Sequence, residues 1–358
     1  MNISGIQPAV YQKGMSLIEI LVALIISGLL LLGVSTVYTA SKRSYQTNDE
    51  IASMQENARF ALQTLTQNIR MSGFIGCSSL NENVSLVNNI DDPDNPGNPN
   101  PLYDVNLNTV AVGHQDTGAW NPPLPVTPGN IVAGTSAISI RRGSNCAQKL
   151  AKDMISLTDP VTVTTTVNCK YDVDQPVIVT DCYKSDIFMI TAVTPAGGTL
   201  QLEHGAGKNY RPTLSQSYST AGKSFVLSMY TKLYYIGTNP GGGTSLYEVV
   251  NGSAPTELIP NVADMVIRYG RNSDNDLSVD RVEKADAVPA NSWSKVLNVY
   301  VRLLMASDPV GTAGKSYTFD GQVFDGVANP LPGDTRYRKE FVTTINLRNR
   351  TTRGNPNP

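Results

Sequence analysis

The sequence predicts an α+β fold: one long N-terminal helix, its first half of membrane-spanning length, packed against an antiparallel, β-rich globular head with long loops. Three observations predict it. From Ile20 through Ser41 no residue is charged, and at about 1.5 Å per residue such a helix spans about 33 Å, enough for a bilayer core. Apolar residues then recur at three-to-four-residue spacing, at Ile51, Met54, Ala58, Leu62, Leu65 and Ile69, with no proline between Pro8 and Pro93. The helix therefore continues, now with a single apolar stripe that fits against a globular body. Beyond Gly73, short runs rich in β-branched residues alternate with turn residues, the pattern of strands.

Residues 1–14 carry one charge, Lys13, together with Pro8 and Gly5; with no amphipathic pattern and no core, they read as a removable leader. Residues 15–72 are the helix, with about 16–41 as its membrane part, and Gly73 and Gly76 supply the stop. Residues 73–358 are the head. Glu19 stands at the start of the apolar run. A carboxylate inside a bilayer is costly and calls for a partner, unless it lies in the interface and is solvated. Charged residues are 16% of the chain and the net charge is −2, so there is no global basic field to draw the protein to nucleic acid.

Between about 81 and 130 the chain turns proline- and asparagine-rich, most densely at Asp91 to Pro101 and again at Pro122, Pro123, Pro125 and Pro128. This stretch reads as loop, with Tyr103, His114 and Trp120 as contacts or anchoring points. Strands are predicted at Ala137–Arg142, Val161–Val167, Val177–Thr180, Asp186–Val193, Phe225–Ile236, Leu246–Val250, Met265–Tyr269, Val296–Met305 and Phe341–Leu347. Alternation is clearest at Leu297, Val299, Val301 and Leu303, which predicts one buried face. Cys77, Cys146, Cys169 and Cys182 all follow the apolar run, and none is in a C-x-x-C pair. Two disulfides are expected, with three connectivities open. Cys169 with Cys182 is preferred because Lys170 to Asp181 could fold back as a hairpin, which leaves Cys77 with Cys146.

One stretch carries a metal-ligand spacing. Asn272, Asp274, Asp276, Ser278, Asp280 and Glu283 fall at the ligand positions of a twelve-residue calcium loop, although Leu277 stands where glycine makes the sharp turn. The favoured reading is a solvated acidic hairpin loop, with calcium binding as the alternative. The cluster Arg336, Arg338, Lys339, Arg348, Arg350 and Arg353 is read as the exposed face and ends of a last strand, with a partner or DNA surface as the other reading. No catalytic set emerges: His114 and His204 lack metal-ligand spacing, and Gly205 to Asn209 is a phosphate loop without its first glycine or its closing hydroxyl. Gly241-Gly242-Gly243 reads as a hairpin turn. No cofactor is expected beyond the calcium alternative.

Gly14-Met15-Ser16-Leu17-Ile18-Glu19 resembles the class III signal sequence of type IV pilins and type II secretion pseudopilins, with Gly14 before the cut and Glu19 fifth after it. Arg70 to Cys77, Asp181-Cys182, Val266 to Gly270 and Thr343 to Arg350 are similar, in order, to PilW-type minor pilins. The chain departs from the common pattern at Met15, where phenylalanine is usual, and at Thr36, where major pilins usually carry a kinking proline. The resemblance implies a pilin-like fold, with cleavage between Gly14 and Met15 by a prepilin peptidase and N-methylation of Met15. It assigns Glu19 to the terminal amine of a neighbouring subunit. It also implies other minor and major pilins and the inner-membrane assembly platform as partners. The protein would lie in the bacterial inner membrane as a single-pass protein with a periplasmic head, and in the pilus after assembly. The implied function is that of a minor pilin that primes or joins assembly near the tip. Alternatives are a minor pseudopilin of type II secretion and an adhesin or DNA-binding head mounted on a pilin helix.

Overall fold

The computed structural model describes residues 14, 16–76, 85–90, 102, 105, 108–165, 169–274, 276, 278–309, 317–324 and 336–348. Residues 1–13, Met15, Cys77, 91–101, Tyr103, Asn275, Leu277, Arg350 and Arg353 lie outside them. Helix α1 is continuous from Leu17 to Arg70. At its end the amides of Met71 and Ser72 still bond back to the Gln67 and Ile69 carbonyls. Gly73 then takes φ +74°, and its amide leaves the helix to donate to the Arg141 carbonyl at 2.8 Å. A left-handed residue here is the ordinary reason for glycine at a helix end. The chain forms two compact units that divide at Ser53 and Met54, so α1 contributes to both.

Among the described residues the second unit contains eighteen strands. The first nine are β1 Ser85–Asn88, β2 Ala111–Asp116, β3 Trp120–Asn121, β4 Ser136–Lys149, β5 Val161–Thr164, β6 Pro176–Thr180, β7 Lys184–Met189, β8 Ala192–Ala196 and β9 Thr199–Glu203. The rest are β10 Phe225–Thr238, β11 Thr244–Val250, β12 Thr256–Pro260, β13 Val262–Arg271, β14 Arg281–Glu283, β15 Val296–Ala306, β16 Tyr317–Phe319, β17 Gln322–Phe324 and β18 Arg338–Asn346. Nine strands make one sheet in the order β1-β7-β6-β10-β4-β2-β3, with β11 also on β10 and β12 beside β11. Its ladders are antiparallel except β1 with β7. A second, antiparallel sheet runs β14-β13-β15-β18, and β5-β9-β8 and β16-β17 form two smaller ones.

The first sheet is built on β10. Its near-continuous apolar run lets Phe225–Ser228 pair with β6, Lys232–Thr238 with β11, and most of its length with β4 on the other side. Asn239 and Gly243 close the β10–β11 turn, as the glycine run predicts. On β15, Val299, Val301 and Leu303 are fully buried, in keeping with the alternation read from sequence. They share one core with Met54, Ala58, Ala61, Leu65 and Ile69 of α1, with Ile138 and Ile140 of β4, and with Ile267 and Ile345 of the second sheet. The helix stripe thus touches both large sheets. Asn68 also falls on it, and its amide is satisfied locally by the Thr64 carbonyl at 2.9 Å. The sheets approach closely at Gly113, where a Cβ would fall 2.1 Å from Tyr269 Oη. Only glycine fits there.

Two expectations are corrected. β2 lies inside the stretch read as loop; Gly113 and His114 interrupt its apolar pattern, yet Ala111–Gln115 is fully buried because it pairs with β4. Neither preferred cysteine pair is found: Cys146 bonds Cys169, with Cα atoms 5.8 Å apart. Lys170 to Asp181 does not fold back, because β6 extends through it and places Cys182 in the β6–β7 turn, at the far end of the strand from Cys169. Cys182 is itself disulfide-bonded, and among the described residues no cysteine is free. A non-reduced peptide map is expected to recover Cys146 joined to Cys169. Cys146→Ser should lower stability by about 3 kcal/mol, the chain-entropy value for a loop of this size, seen as a lower denaturation midpoint.

Candidate functional site

The first compact unit begins with Gly14, which is exposed, and a Cβ on it would meet nothing within 4 Å. The Ser16 carbonyl accepts from the amides of Glu19 at 3.0 Å and Ile20 at 3.2 Å, which opens the helix. Glu19 therefore lies in the first turn, exposed, where a carboxylate is favoured by the unpaired amides of a helix N-terminus. Past it the helix is long and apolar enough to cross a membrane. Its large side chains are unburied: Leu24 is 63% exposed, Leu31 70% and Val37 70%. A surface that is apolar all round has no stable place in water. Three hydroxyls on this surface bond within the helix: Ser27 to the Leu24 carbonyl at 3.0 Å, Thr36 to that of Gly33 at 2.8 Å and Thr39 to that of Ser35 at 2.9 Å. None of them needs a water partner.

In the head, the acidic loop gathers Asp274, Asp276 and Asp280, whose carboxylate oxygens lie within 4.8 Å of one another on the surface. Ser278 donates its amide and hydroxyl to Asp276, both at 2.7 Å, and these bonds hold that carboxyl below its ordinary range. Ser273 does the same for Asp280, its hydroxyl at 2.7 Å. Two residues of the six-ligand pattern lie elsewhere. Asn272 is buried. Glu283 sits on β14 across the ladder from β13, where it accepts from Arg271 Nε at 3.1 Å.

The described members of the C-terminal basic cluster lie on β18 and at its ends, as read from the sequence. Arg336 and Arg338 stand at the start of β18, and Arg348 follows its end, separated by a strand about 30 Å long. Arg338 lies over the Phe324 ring at 5.5 Å and Lys339 over Phe341 at 5.5 Å. Arg348 borders a shallow groove with Gln63, Gln67 and Arg70 of α1. The histidines are structural. His114 Nδ1–H donates to the Pro122 carbonyl at 2.9 Å, its Nε2 lies 2.9 Å from Ser139 Oγ, and burial pushes its pKa down to about 4. Both nitrogens of His204 face backbone carbonyls, those of Pro212 and Asp159.

Residues 10–35 match the prokaryotic N-terminal methylation motif, and residues 233–349 match type IV pilus-assembly protein W. Over these residues the chain is similar to the PilW family of type IV pilus-assembly proteins. No curated protein and no solved structure matches it. The PilW segment contains the whole of β11 to β18, and therefore the entire second sheet with the helix-facing side that Val299, Val301 and Ile345 supply. The methylation motif and apolar helix mark the protein as a membrane-anchored prepilin and pilus component. The pilin match implies processing by prepilin peptidase and pilus assembly with other pilins, and the matched proteins are generally structural.

Within the PilW segment one residue escaped sequence reasoning. Asp264 is 4% exposed, in a strand whose predicted start, Met265, left it outside. The available signal was an acid inside Val262-Ala263-Asp264-Met265-Val266. Burial pushes its carboxyl up to about 6, and the nearby Asp320 charge adds to this, while the Met265 amide on Oδ1 at 2.7 Å opposes it. Because the folded chain holds this proton to higher pH than the unfolded chain, stability declines as pH rises from about 4 to about 6 and stays lower above. Asp264→Asn is therefore expected to be more stable at pH 7.5, by up to roughly 3 kcal/mol. The advantage should vanish near pH 4, as denaturant titrations at the two pH values would report.

Proposed function

We propose that this protein is a minor pilin, a structural subunit that primes or joins pilus assembly and does no chemistry of its own. The observation that carries the reading is the helix from Leu17 onward, apolar on every side and unburied, with one acid in its first turn. In the inner membrane lipid covers that surface; in a filament, neighbouring helices do. Cleavage between Gly14 and Met15 would leave a new terminal amine beside the membrane helix, and methylation of Met15 keeps its charge. Glu19 then meets the amine of an adjacent subunit. An ion pair in such surroundings adds little net stability, but a misregistered neighbour would strand the carboxylate, so the pair sets register. Residues 1–14 would be the leader, 15–72 the assembly helix and 73–358 the periplasmic head.

A position at or near the tip follows from the size of the head, since the steric limits of a repeating lattice are relaxed there. The match to a pilus-assembly protein supports a pilus over a type II secretion pseudopilus. Glu19→Ala is expected to leave cleavage intact but to lower the amount of this subunit in sheared pili about tenfold, equivalent to about 1.4 kcal/mol. Undiminished incorporation would remove the register argument. Intact mass of the native protein is expected to show loss of residues 1–14 and one added methyl group; an uncut chain would contradict the processing assignment.

A further inference from the structure

The apolar half of α1 is not uniform around its circumference. Gly33 leaves a shallow groove in one side of it, bounded by Leu29, Leu30 and Val37 and ending at Tyr38 and Ser41. A Cβ on Gly33 would meet nothing within 4 Å, so the groove opens to whatever surrounds the helix. From Leu29 to Ser41 is about 18 Å along the axis at about 1.5 Å per residue. Half of a bilayer's hydrocarbon core is about 15 Å. The groove therefore has the depth of one leaflet. A packed neighbouring helix would follow the apolar surface from Leu17 onward, whereas this groove begins twelve residues later.

The two ends of the groove differ in chemistry. The deep end is apolar. At about 100° per residue, Tyr38, Ser41, Lys42 and Tyr45 fall within one sector of about 100° at the other end, while Arg43 lies about 160° round the helix from Ser41. Lys42 is the first charge after the uncharged run, and Tyr38 and Tyr45 are 68% and 76% exposed. Ser27, Thr36 and Thr39 return their hydroxyls to helix carbonyls. The hydroxyls of Tyr38, Ser41 and Tyr45 and the Lys42 ammonium have no partner among the described residues. Tyrosine and lysine are common at a membrane interface; here they gather on the side that carries the groove. One cation and three donors at the head of a leaflet-deep apolar groove fit an amphiphile with an anionic head.

We propose that this groove binds one anionic phospholipid of the adjoining leaflet, with an acyl chain along Leu29, Gly33 and Val37 and the phosphate on Lys42, where the Tyr38, Ser41 and Tyr45 hydroxyls donate to it. Such a lipid fixes the depth of the helix, with Glu19 about 35 Å away toward the opposite interface. The inference rests on the helix lying in a bilayer and is independent of the register and tip arguments.

The test is native mass spectrometry of the full-length protein in detergent, titrated with dioleoyl phosphatidylglycerol or dioleoyl phosphatidylcholine, with co-flotation on vesicles of the same lipids measured in parallel. One phosphatidylglycerol is expected to be held at least about fivefold more tightly than phosphatidylcholine, the factor for one basic residue at an anionic surface. Lys42→Gln should abolish that preference and Arg43→Gln should leave it. Gly33→Leu, which fills the groove, should weaken retention of both lipids, and every variant should float. A floating protein that holds the two lipids equally, responds alike to Lys42→Gln and Arg43→Gln, or ignores Gly33→Leu overturns the lipid site and leaves the membrane reading standing; a protein that does not float overturns both. Unchanged lipid retention together with reduced incorporation of Gly33→Leu into sheared pili would assign the groove to a neighbouring helix and overturn the proposal as well.

Discussion

Burial of one stripe on α1 is the constraint from which the head is built. Met54, Ala58, Ala61, Leu65 and Ile69 enter a single core with residues from both large sheets, so neither sheet finishes its apolar face without the helix. Ala58 and Ala61, both fully buried, are small enough for strands to approach the helix backbone, while Met54, Leu65 and Ile69 supply most of the apolar area. Full burial of such larger side chains contributes roughly 1.5–3 kcal/mol each. The preceding residues of the same helix follow another rule. They have no stripe, because every direction around them is apolar, and their burial must come from lipid or from other subunits.

The polar interior of the head shows how the strands are tied once that core exists. Asp186 links β7 to the segment after β1 and to the loop at 215–218 through four donors. Asp320, in the β16–β17 turn at φ +48°, receives Arg268 at 3.1 Å, Lys284 at 2.7 Å and Arg302 at 3.4 Å, which pins that small hairpin to the second sheet. Phe319 and Phe324 bury beneath it against Val266 and Leu304. Each of these carboxylates has several donors. Asp264 stands apart because burial outweighs the Met265 amide and the Lys284 and Arg302 charges that favour its ionised form, a combination that costs stability.

Much of this was legible in the chain. The uncharged run to Ser41 and the Met54 to Ile69 spacing foretell α1 to within about two residues at each end, since helix periodicity is a local property that the sequence displays directly. The alternation on β15 foretells its buried face for the same reason. What escaped depends on partners distant in sequence. β2 is a strand because β4 pairs with it, despite a glycine and a histidine in its middle. Glu283 fits a calcium spacing on paper but faces Arg271 across a ladder.

The chain by itself therefore determined what local periodicity and motif can encode: an N-terminal methylation motif, an apolar helix with Glu19 in its first turn, a stripe that must be buried, and a β-rich head. Only the tertiary structure decided which cysteine meets Cys146, which strands flank β10, and that Asp264 is buried. The reason is physical. Helical period and hydrophobic run length are set by neighbours within a few residues, whereas disulfide geometry, sheet order and the burial of a charge are set by contacts between segments many tens of residues apart.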